Sequence, residues 1–412
     1  MSSSWACRFV VIPLLVGTSL LFTGCGGSSN ASHVTKTLPP WNAYSTCAVA
    51  DFNGDGVPEI ALAYSTMAGA PPHPGTIAVY LQDPAHLGTF LAPSNYAVPN
   101  DPWDVVAADL NGDGKVDLAV VNTIATNDTV GSSSVSVLLQ DPANPGKFLA
   151  ASNYTTGYAP VAVAVGDVNQ DGRPDLIVSN SDGITVVLQS STAPGQFQPQ
   201  PTISVSGGTA GIAIADVDAD GRNDIIATAA DLMVYLQSSS AAGTFRAPVH
   251  YAAGAQPYAV VAQDLNGDGH PDLAVANLGS ADGSVKASLS VVLQNPAAPG
   301  TFLPATAYAT DVRSWSVSAG DLNNDGMPDL VVGNMGSFNG GSISVFFQNP
   351  GGLGTFQSAV NYAEANVNWA VPADINNDEK QELVIVSSGL EIRYQDPANP
   401  GTFLPPVVIV SP

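Results

Sequence analysis

The chain has 412 residues, of which 35 are acidic and 11 are basic, and its formal net charge at pH 7 is −24. This charge argues against nucleic acid and against an anionic membrane surface as binding partners. A hydrophobic content of 45% argues against a disordered chain, because such chains lack the apolar side chains that build a core.

The N-terminal segment predicts export. Arg8 precedes an apolar run over residues 9–22, which is typical of a signal peptide. The Thr-Gly pair and Cys25 that follow resemble the lipobox of a bacterial lipoprotein, with Phe22 where an aliphatic residue is usual. The resemblance implies that residues 1–24 are a lipoprotein signal peptide and that Cys25 carries lipid.

A flexible Gly/Ser tether over residues 25–40 then leads to the folded part of the chain. The expected location is the bacterial cell envelope, anchored by lipid in the outer membrane or at the cell surface. Ordinary secretion and an uncleaved anchor are the alternatives.

A nine-residue acidic turn recurs seven times in the rest of the chain. Oxygen-bearing side chains stand at positions 1, 3, 5 and 9, and glycine stands at position 6 in six of the seven copies. This pattern is typical of a short loop around a hard cation, in which alternate side chains and the position-7 carbonyl face the ion. The predicted side-chain ligands are Asp51, Asn53, Asp55, Glu59, Asp109, Asn111, Asp113, Asp117, Asp167, Asn169, Asp171, Asp175, Asp216, Asp218, Asp220, Asp224, Asp264, Asn266, Asp268, Asp272, Asp321, Asn323, Asp325, Asp329, Asp374, Asn376, Asp378 and Glu382. The predicted carbonyl ligands are those of Val57, Lys115, Arg173, Arg222, His270, Met327 and Lys380.

Asp, Asn and Gly also form hairpin turns without a metal. Metal-free turns, however, would bring three carboxylates together in each of the seven copies with no counter-charge. We therefore expect up to seven structural Ca²⁺ ions, and we favour Ca²⁺ over Mg²⁺ because Mg²⁺ requires a tighter octahedron.

The turns begin 48 to 58 residues apart and divide the chain into seven similar units. Each unit holds short β-branched runs separated by turn residues, so each predicts a four-stranded antiparallel meander. The third run ends in a glutamine and is followed by a phenylalanine. Seven such units predict an all-β chain that forms a seven-bladed β-propeller over residues 41–412, whereas a linear β-solenoid has much shorter rungs. The predicted blades are about 41–100, 101–157, 158–206, 207–254, 255–311, 312–364 and 365–412.

The DxNxDGxxD turn after a short strand, with PGTF or PGKF closing the unit, resembles the FG-GAP/VCBS repeat that also builds the propeller of integrin α-subunits. The resemblance extends from about Ser45 to Phe403, and it implies Ca²⁺ in the turn between the first and second strand of each blade. The seventh turn has Glu379 where glycine is expected and is predicted to be the weakest site. Whether residues 34–38 or 403–410 supply the outer strand of the last blade stays open.

Aromatic residues recur near the start of the inner strands, on the face opposite the acidic turns. The longer connections of blades 1, 2, 5 and 6 are predicted on the same face, which favours it as a binding face. Such rings stack on sugars or grip a peptide, and the alternative is that they plug the channel. The candidate ligand-binding residues are Tyr44, Trp103, Tyr258, Trp315 and Trp369.

No spacing typical of a catalytic triad, a zinc site or a phosphate loop is present in the sequence, although Asp104, Asp182 and Asp311 are acids outside the turns. Cys47 is predicted to be a buried apolar residue, since equivalent positions hold Val, Ile or Ala.

We expect a monomeric binding, adhesion or scaffold module for a glycan or a protein. The alternatives are an enzyme acting on extracellular polysaccharide and a purely structural envelope component.

Overall fold

The computed structural model describes residues 42–66, 74–123, 133–280, 283–336 and 340–410, with the side chains of residues 42–44 and 66 left out. Regular structure in these residues consists of β-strands, with no helix. Accordingly, none of the residues described forms a helix able to cross a membrane.

The strands form seven antiparallel sheets, one per repeat, and confirm the predicted seven-bladed propeller. From the centre outward, the strands of blade 1 are Asn42–Ala50, Glu59–Thr66, Pro74–Tyr80 and Ser94–Asn100, and those of blade 2 are Pro102–Ala108, Asp117–Asn122, Ser134–Leu138 and Ser152–Thr155. Blade 3 has Pro160–Gly166, Asp175–Asn180 and Gly183–Gln189, with Phe197–Pro199 and Ile203–Ser204 both paired to this third strand. The strands of blade 4 are Ile212–Ala215, Asp224–Thr228, Leu232–Tyr235 and Val249–Tyr251. The strands of blade 5 are Pro257–Gln263, Asp272–Asn277, Ser288–Val292 and Thr306–Ala309. Those of blade 6 are Ser314–Gly320, Asp329–Asn334, Gly341–Phe346 and Val360–Glu364. Those of blade 7 are Trp369–Ala373, Glu382–Val386, Leu390–Arg393 and Val407–Val410. Gln82–Asp83 and His86–Phe90 form a small extra hairpin in blade 1.

Burial explains why the middle strands are continuous apolar runs instead of alternating ones. In Asp117–Asn122 and Asp329–Asn334, for example, every residue is buried. A blade has a neighbour on both faces, so side chains on both sides of the strand are covered. The outer strands have mixed burial because one edge and parts of both faces meet solvent.

Within the described residues the hydrophobic core forms seven clusters, and each cluster lies between two adjacent blades. One of them joins blade 1 to blade 7 through residues such as Ile60, Leu62, Val384 and Ile392. The ring is therefore closed by side-chain packing between the first and last blades.

The last blade takes its outer strand from the C-terminal part of the chain. Val407–Val410 pairs with Leu390–Arg393, which settles the choice left open by the sequence. The alternative segment, residues 34–38, lies outside the described residues, as do residues 1–24 and Cys25.

Cys47 is buried in the cluster between blades 1 and 7, as predicted, and burial raises the pKa of its thiol to about 12.

The two faces of the ring differ. All inner strands run toward the face that carries the acidic turns, which we call the loop face, and they begin at the opposite face, which we call the rim face. Residues 67–73, 124–132, 281–282 and 337–339, which belong to the long connections predicted on the rim face, lie outside the described residues.

Candidate functional site

Each acidic turn is closed by hydrogen bonds from its own backbone to the aspartate at position 1. In all seven turns Oδ2 of this aspartate accepts the N–H of position 6 at 2.8 or 2.9 Å. In the first turn, Asn53 Oδ1 accepts the N–H of Asp55 at 2.8 Å, and Asp55 Oδ1 accepts that of Val57 at 2.9 Å. The predicted ligand side chains are thus held in place by hydrogen bonds from the backbone of their own turn.

The sequence pattern pointed only to position 6 as a special backbone position, but two positions in each turn, 4 and 6, adopt the left-handed backbone. Position 6 has φ of +78° to +88° at its six glycines and +64° at Glu379. Position 4 is also left-handed in every turn, with glycine in three copies and Gln170, Ala219, Asn324 or Asn377 in the others. A Cβ at the position-6 glycines would meet no atom within 4 Å, so Glu379 costs backbone strain of about 1–2 kcal/mol but no clash.

The carboxylate at position 9 is buried and ties the turn to the sheet. Asp117 Oδ2 accepts the N–H of Leu110 at 3.0 Å, and its Oδ1 accepts the N–H of Gln140 at 2.7 Å. Burial raises the pKa of Asp117 to about 6, the two hydrogen bonds lower it, and the nearby charges of Asp113 and Asp109 raise it further. The same causes raise the pKa of the other position-9 carboxyls to about 6 or 7; these are Glu59, Asp175, Asp224, Asp272, Asp329 and Glu382.

The residues of the turns fit a divalent cation. Carboxylate oxygens of Asp216, Asp218 and Asp224 lie within 4.8 Å of one another, as do those of Asp374, Asp378 and Glu382. Asp218 Oδ1 is buried and accepts no hydrogen bond from the described residues. Clustered, desolvated carboxylates of this kind are stabilised in their charged form by a cation with oxygen preference.

On the rim face, three of the five candidate aromatic residues meet. The rings of Tyr258 and Trp315 lie 4.3 Å apart between centroids at 35°, and Trp103 lies close enough to Tyr258 to lower the pKa of its hydroxyl, which burial raises. These residues come from blades 5, 6 and 2, so the cluster spans the centre of the ring. Trp103 is 40% exposed, whereas Tyr258 and Trp315 are half-buried.

β-Bulges explain which aromatic residues reach this cluster. The inner strands of blades 2, 5 and 6 are irregular at Trp103, Tyr258 and Trp315, which are skipped in the pairing with the second strand. A bulge re-aims the extra side chain, here away from the sheet and toward the ring centre. Blade 7 pairs regularly, and Trp369 packs against the cluster between blades 1 and 7. The side chain of Tyr44 lies outside the described part of the molecule.

Asp104 is a buried acid directly beside the aromatic cluster. Its Oδ2 accepts the N–H of Val163 in blade 3 at 3.0 Å, and Thr46 in blade 1 donates to its Oδ1 at 3.5 Å. Burial raises the pKa of Asp104 to about 6, while these hydrogen bonds lower it. Burial is the main cause that raises the pKa of Tyr258. The charge of Asp104 raises this pKa further, and the charge of Arg313 lowers it. Of the other two acids, Asp182 Oδ1 accepts the N–H of Tyr158 at 3.0 Å, and Asp311 Oδ2 accepts the hydroxyl of Ser342 at 2.9 Å.

Comparison with protein families agrees with this geometry. The FG-GAP-like repeat matches residues 51–120, 124–178, 167–227 and 225–275, and the FG-GAP repeat matches residues 314–346. The chain belongs to the FG-GAP-like repeat family. This confirms the resemblance drawn from the acidic turns, and it covers more than half of the chain.

Three solved structures are similar to this FG-GAP-like propeller over most of its length. A lectin from Agrocybe aegerita, described as recognising non-reducing terminal N-acetylglucosamine, is 18% identical, with a TM-score of 0.51 over 89% of this chain and 94% of the lectin. A periplasmic gluconolactonase of Pseudomonas aeruginosa is 18% identical, with a TM-score of 0.58 over 86% and 97%. A rhamnogalacturonan lyase of Bacillus licheniformis is 16% identical, with a TM-score of 0.48 over 84% and 70%. At these identities the likeness concerns the fold alone, and no curated protein sequence matches the chain.

Glutamines at the ends of the third strands join the acidic turns of neighbouring blades, a role that the sequence analysis missed. Gln140 Nε2 donates to the carbonyl of Val116 in its own turn at 3.2 Å and to that of Phe52 in the preceding blade at 2.7 Å. Five glutamines form this inter-blade bond; they are Gln82, Gln140, Gln189, Gln237 and Gln294. The sequence feature that could have predicted this role is the glutamine that ends the third apolar run of each repeat.

The glycine of the PGTF segment reinforces the same junction. Gly146 N–H donates to the Phe52 carbonyl at 3.0 Å, and a Cβ on Gly146 would stand 3.3 Å from Cβ of Asn53, a predicted ligand. A position-3 residue of the preceding turn is similarly close to Gly195, Gly243, Gly300, Gly354 and Gly401. Each acidic turn is therefore part of an interface between two blades.

Proposed function

We propose that this FG-GAP-like propeller is a calcium-stabilised carbohydrate-binding module whose sugar site is the aromatic cluster on the rim face. The observation that carries the proposal is the meeting of Trp103, Tyr258 and Trp315 from three blades, with Trp103 exposed to solvent. Aromatic faces of this kind stack on the apolar face of a sugar ring. Asp104 and Arg313 add polar groups beside them.

Two neighbours with the same fold are described as acting on sugar-type ligands, the N-acetylglucosamine-recognising lectin and the gluconolactonase. Their identity to this chain is too low to transfer a ligand. They support only the choice of a sugar over a protein as the first ligand class to test.

Calcium is the ion proposed for the acidic turns. Each turn offers carboxylate, amide and carbonyl oxygens, which are hard ligands without sulfur or imidazole donors. The ions would act structurally, since the turns lie on the loop face, and the aromatic cluster on the rim face.

We expect glycan binding to depend on the exposed indole. In a glycan array with Ca²⁺ present, Trp103→Ala and Trp315→Ala should each weaken binding about tenfold or more, because a lost stacking contact removes about 1 kcal/mol beyond the buried area. Leu353→Ala is the control, as Leu353 is 54% exposed on the loop face. Equal binding by all variants, or binding to a protein partner but to no glycan, would remove the carbohydrate proposal; no binding at all would favour the structural alternative.

A second candidate function is an enzyme that cleaves polysaccharide. It is favoured by one observation: the buried Asp104 carboxyl has a pKa raised to about 6, in the range useful for proton transfer, beside the aromatic cluster. Release of reducing ends or unsaturated products from polysaccharides, lost in Asp104→Asn, would establish it. Intact polysaccharide after prolonged incubation would leave the binding module alone.

For the location we propose lipid anchoring at Cys25 after removal of residues 1–24. Cells labelled with palmitate should incorporate it into the wild-type protein, and Cys25→Ser should lose both the label and the membrane association. A wild-type protein that stays unlabelled and soluble would contradict the anchor.

A further inference from the structure

Neighbouring blades share an aromatic contact that blade 3 lacks. Six residues after the phenylalanine that follows each third strand, an outer-strand tyrosine occurs in five of the seven repeats: Tyr96, Tyr154, Tyr251, Tyr308 and Tyr362. Each tyrosine packs edge-on against the phenylalanine of the next blade, with ring centroids 5.3 to 5.9 Å apart. The backbone N–H of that phenylalanine donates to the hydroxyls of Tyr96 and Tyr308 at 3.1 Å.

In blade 3 the tyrosine is replaced by Ile203. The strand register confirms the equivalence, because Ile203 pairs with Ile184, five residues before Gln189, just as Tyr154 pairs with Val135, five residues before Gln140. The phenylalanine that Ile203 faces in blade 4 is Phe245, which remains half-exposed. The phenylalanines that face a tyrosine are only 5 to 8% exposed; they are Phe148, Phe197, Phe302, Phe356 and Phe403.

A cavity of about 390 Å³ opens at this place between blades 3 and 4. We call it the Ile203 pocket; it is lined by Ile203, Tyr235, Thr244, Phe245, Arg246 and Pro248, among others. The neighbouring N–H groups of Arg246 and Ser238 bond to backbone carbonyls, but the Phe245 N–H has no hydrogen bond within the described residues. The hydroxyl of Tyr235 does not reach it and donates instead to the Met233 sulfur at 3.8 Å.

The interface between blades 7 and 1 shows how the chain fills the same gap elsewhere. There the sixth residue after Phe403 is Ile409, and Phe90 of blade 1 is again half-buried. Tyr394, which precedes the glutamine of blade 7, packs into this interface and donates its hydroxyl to the Gly88 carbonyl at 2.8 Å. The corresponding residue of blade 3 is Leu188, which is smaller and has no polar end. The Ile203 pocket is thus left without an aromatic filler from blade 3.

We propose that the Ile203 pocket binds small phenols. A phenol ring there reproduces the contact made in five other places: its face or edge meets Phe245, and its hydroxyl accepts the free Phe245 N–H. The volume is ample, because a dry protein cavity of about 150 Å³ already accepts benzene. The site lies at the outer part of an inter-blade interface and is independent of the sugar site proposed above.

Binding of p-cresol, which matches a tyrosine side chain from its Cβ outward, tests the proposal. Titration of the purified protein with p-cresol should shift the methyl NMR signal of Ile203 and saturate in the millimolar range. Toluene should bind about fivefold more weakly, the effect of one neutral hydrogen bond. Ile203→Tyr should abolish p-cresol binding at this pocket and raise the melting temperature, because the protein's own phenol then fills it.

Tyr154→Ile is the matched gain-of-site variant, as it copies the blade 3 side chain into blade 2. It should bind p-cresol at two sites, and the double variant Tyr154→Ile/Ile203→Tyr at one. Unchanged p-cresol binding in Ile203→Tyr, equal affinity for toluene, or a single site in Tyr154→Ile would each overturn the proposal. Tighter binding of N-acetyltyrosinamide than of p-cresol would assign the pocket to a polypeptide tyrosine and also refute the small-molecule assignment.

Discussion

Removal of calcium by a chelator is expected to lower the melting temperature by about 10 °C or more, and millimolar Ca²⁺ should restore it. A ligand that binds only the folded state stabilises it by RT ln(1 + [L]/Kd), which is about 1.4 kcal/mol per site at a tenfold excess over Kd. With a Kd of roughly 1 mM, typical of extracellular calcium sites, seven sites in 10 mM Ca²⁺ would contribute about 10 kcal/mol. Differential scanning calorimetry of the metal-free and calcium-loaded protein measures this directly.

The turns are placed so that this effect acts on the whole ring. Each turn carries a buried position-2 side chain that packs between blades, as Phe52 does against Phe148 at 5.6 Å. In five of the seven turns a glutamine of the next blade also donates to the position-2 carbonyl. A cation that orders the turn thus also orders an inter-blade interface. Mg²⁺ at the same concentration is the control and should restore much less stability. An identical melting temperature with and without Ca²⁺ would contradict the calcium proposal.

The seven sites should not contribute equally. Glu379 holds the seventh turn in the left-handed conformation at a cost that the glycines of the other turns do not have. Asp268→Asn should therefore reduce the calcium-dependent rise in melting temperature more than Asp378→Asn does, although Asp378 lies in a cluster of three carboxylates. Equal losses would mean that the clustering of carboxylates outweighs the strain at Glu379.

The sequence predicted the architecture because the repeat itself encodes it. Turn chemistry, apolar runs and the nearly constant interval between the turns each recur seven times, so an error in one copy is corrected by the other copies. The structure adds the outer strand of blade 7, Val407–Val410, whose assignment depended on pairing and not on pattern.

The aromatic site was predicted only in part, for a local geometric reason. Trp103 and Trp369 both lie near the start of an inner strand, but only the strand of Trp103 has a bulge there. A shift of one residue in register reverses the face to which a side chain points, and single-sequence spacing does not reveal a bulge. The role of Asp104 was equally hidden, since its partners Thr46 and Val163 are 58 and 59 residues away in the chain.

The inter-blade glutamines illustrate the same limit. Their recurrence was visible in the sequence as the end of each third run, whereas their function depends on which carbonyls approach them in space. The clearest case is Gln82, which donates to the carbonyl of Ile375, 293 residues away. This contact joins the first blade to the last.

Replacement of Gln82 by leucine is expected to destabilise the protein by about 3–6 kcal/mol. The side chain is 4% exposed and donates to the carbonyls of Pro58 at 2.7 Å and Ile375 at 2.5 Å, while its Oε1 accepts the Gly88 N–H at 2.7 Å. Leucine has nearly the same size but leaves these three buried backbone groups unpaired, at about 1–3 kcal/mol each before relaxation. Guanidinium denaturation of the calcium-loaded protein measures the free energy of unfolding.

Gln198→Leu provides the control, because Gln198 is exposed on an outer strand and its change should stay within about 0.5 kcal/mol. Hydrogen exchange gives a local readout: if Gln82 helps to close the ring, Gln82→Leu should speed exchange in the strands of blades 1 and 7 more than in those of blade 4. A Gln82→Leu protein as stable as the control, with uniform exchange, would show that the hydrophobic cluster between Ile60, Leu62, Val384 and Ile392 closes the ring without these hydrogen bonds. A repeat ring has one junction that joins its two chain ends, so weakening that junction is expected to open the ring there first.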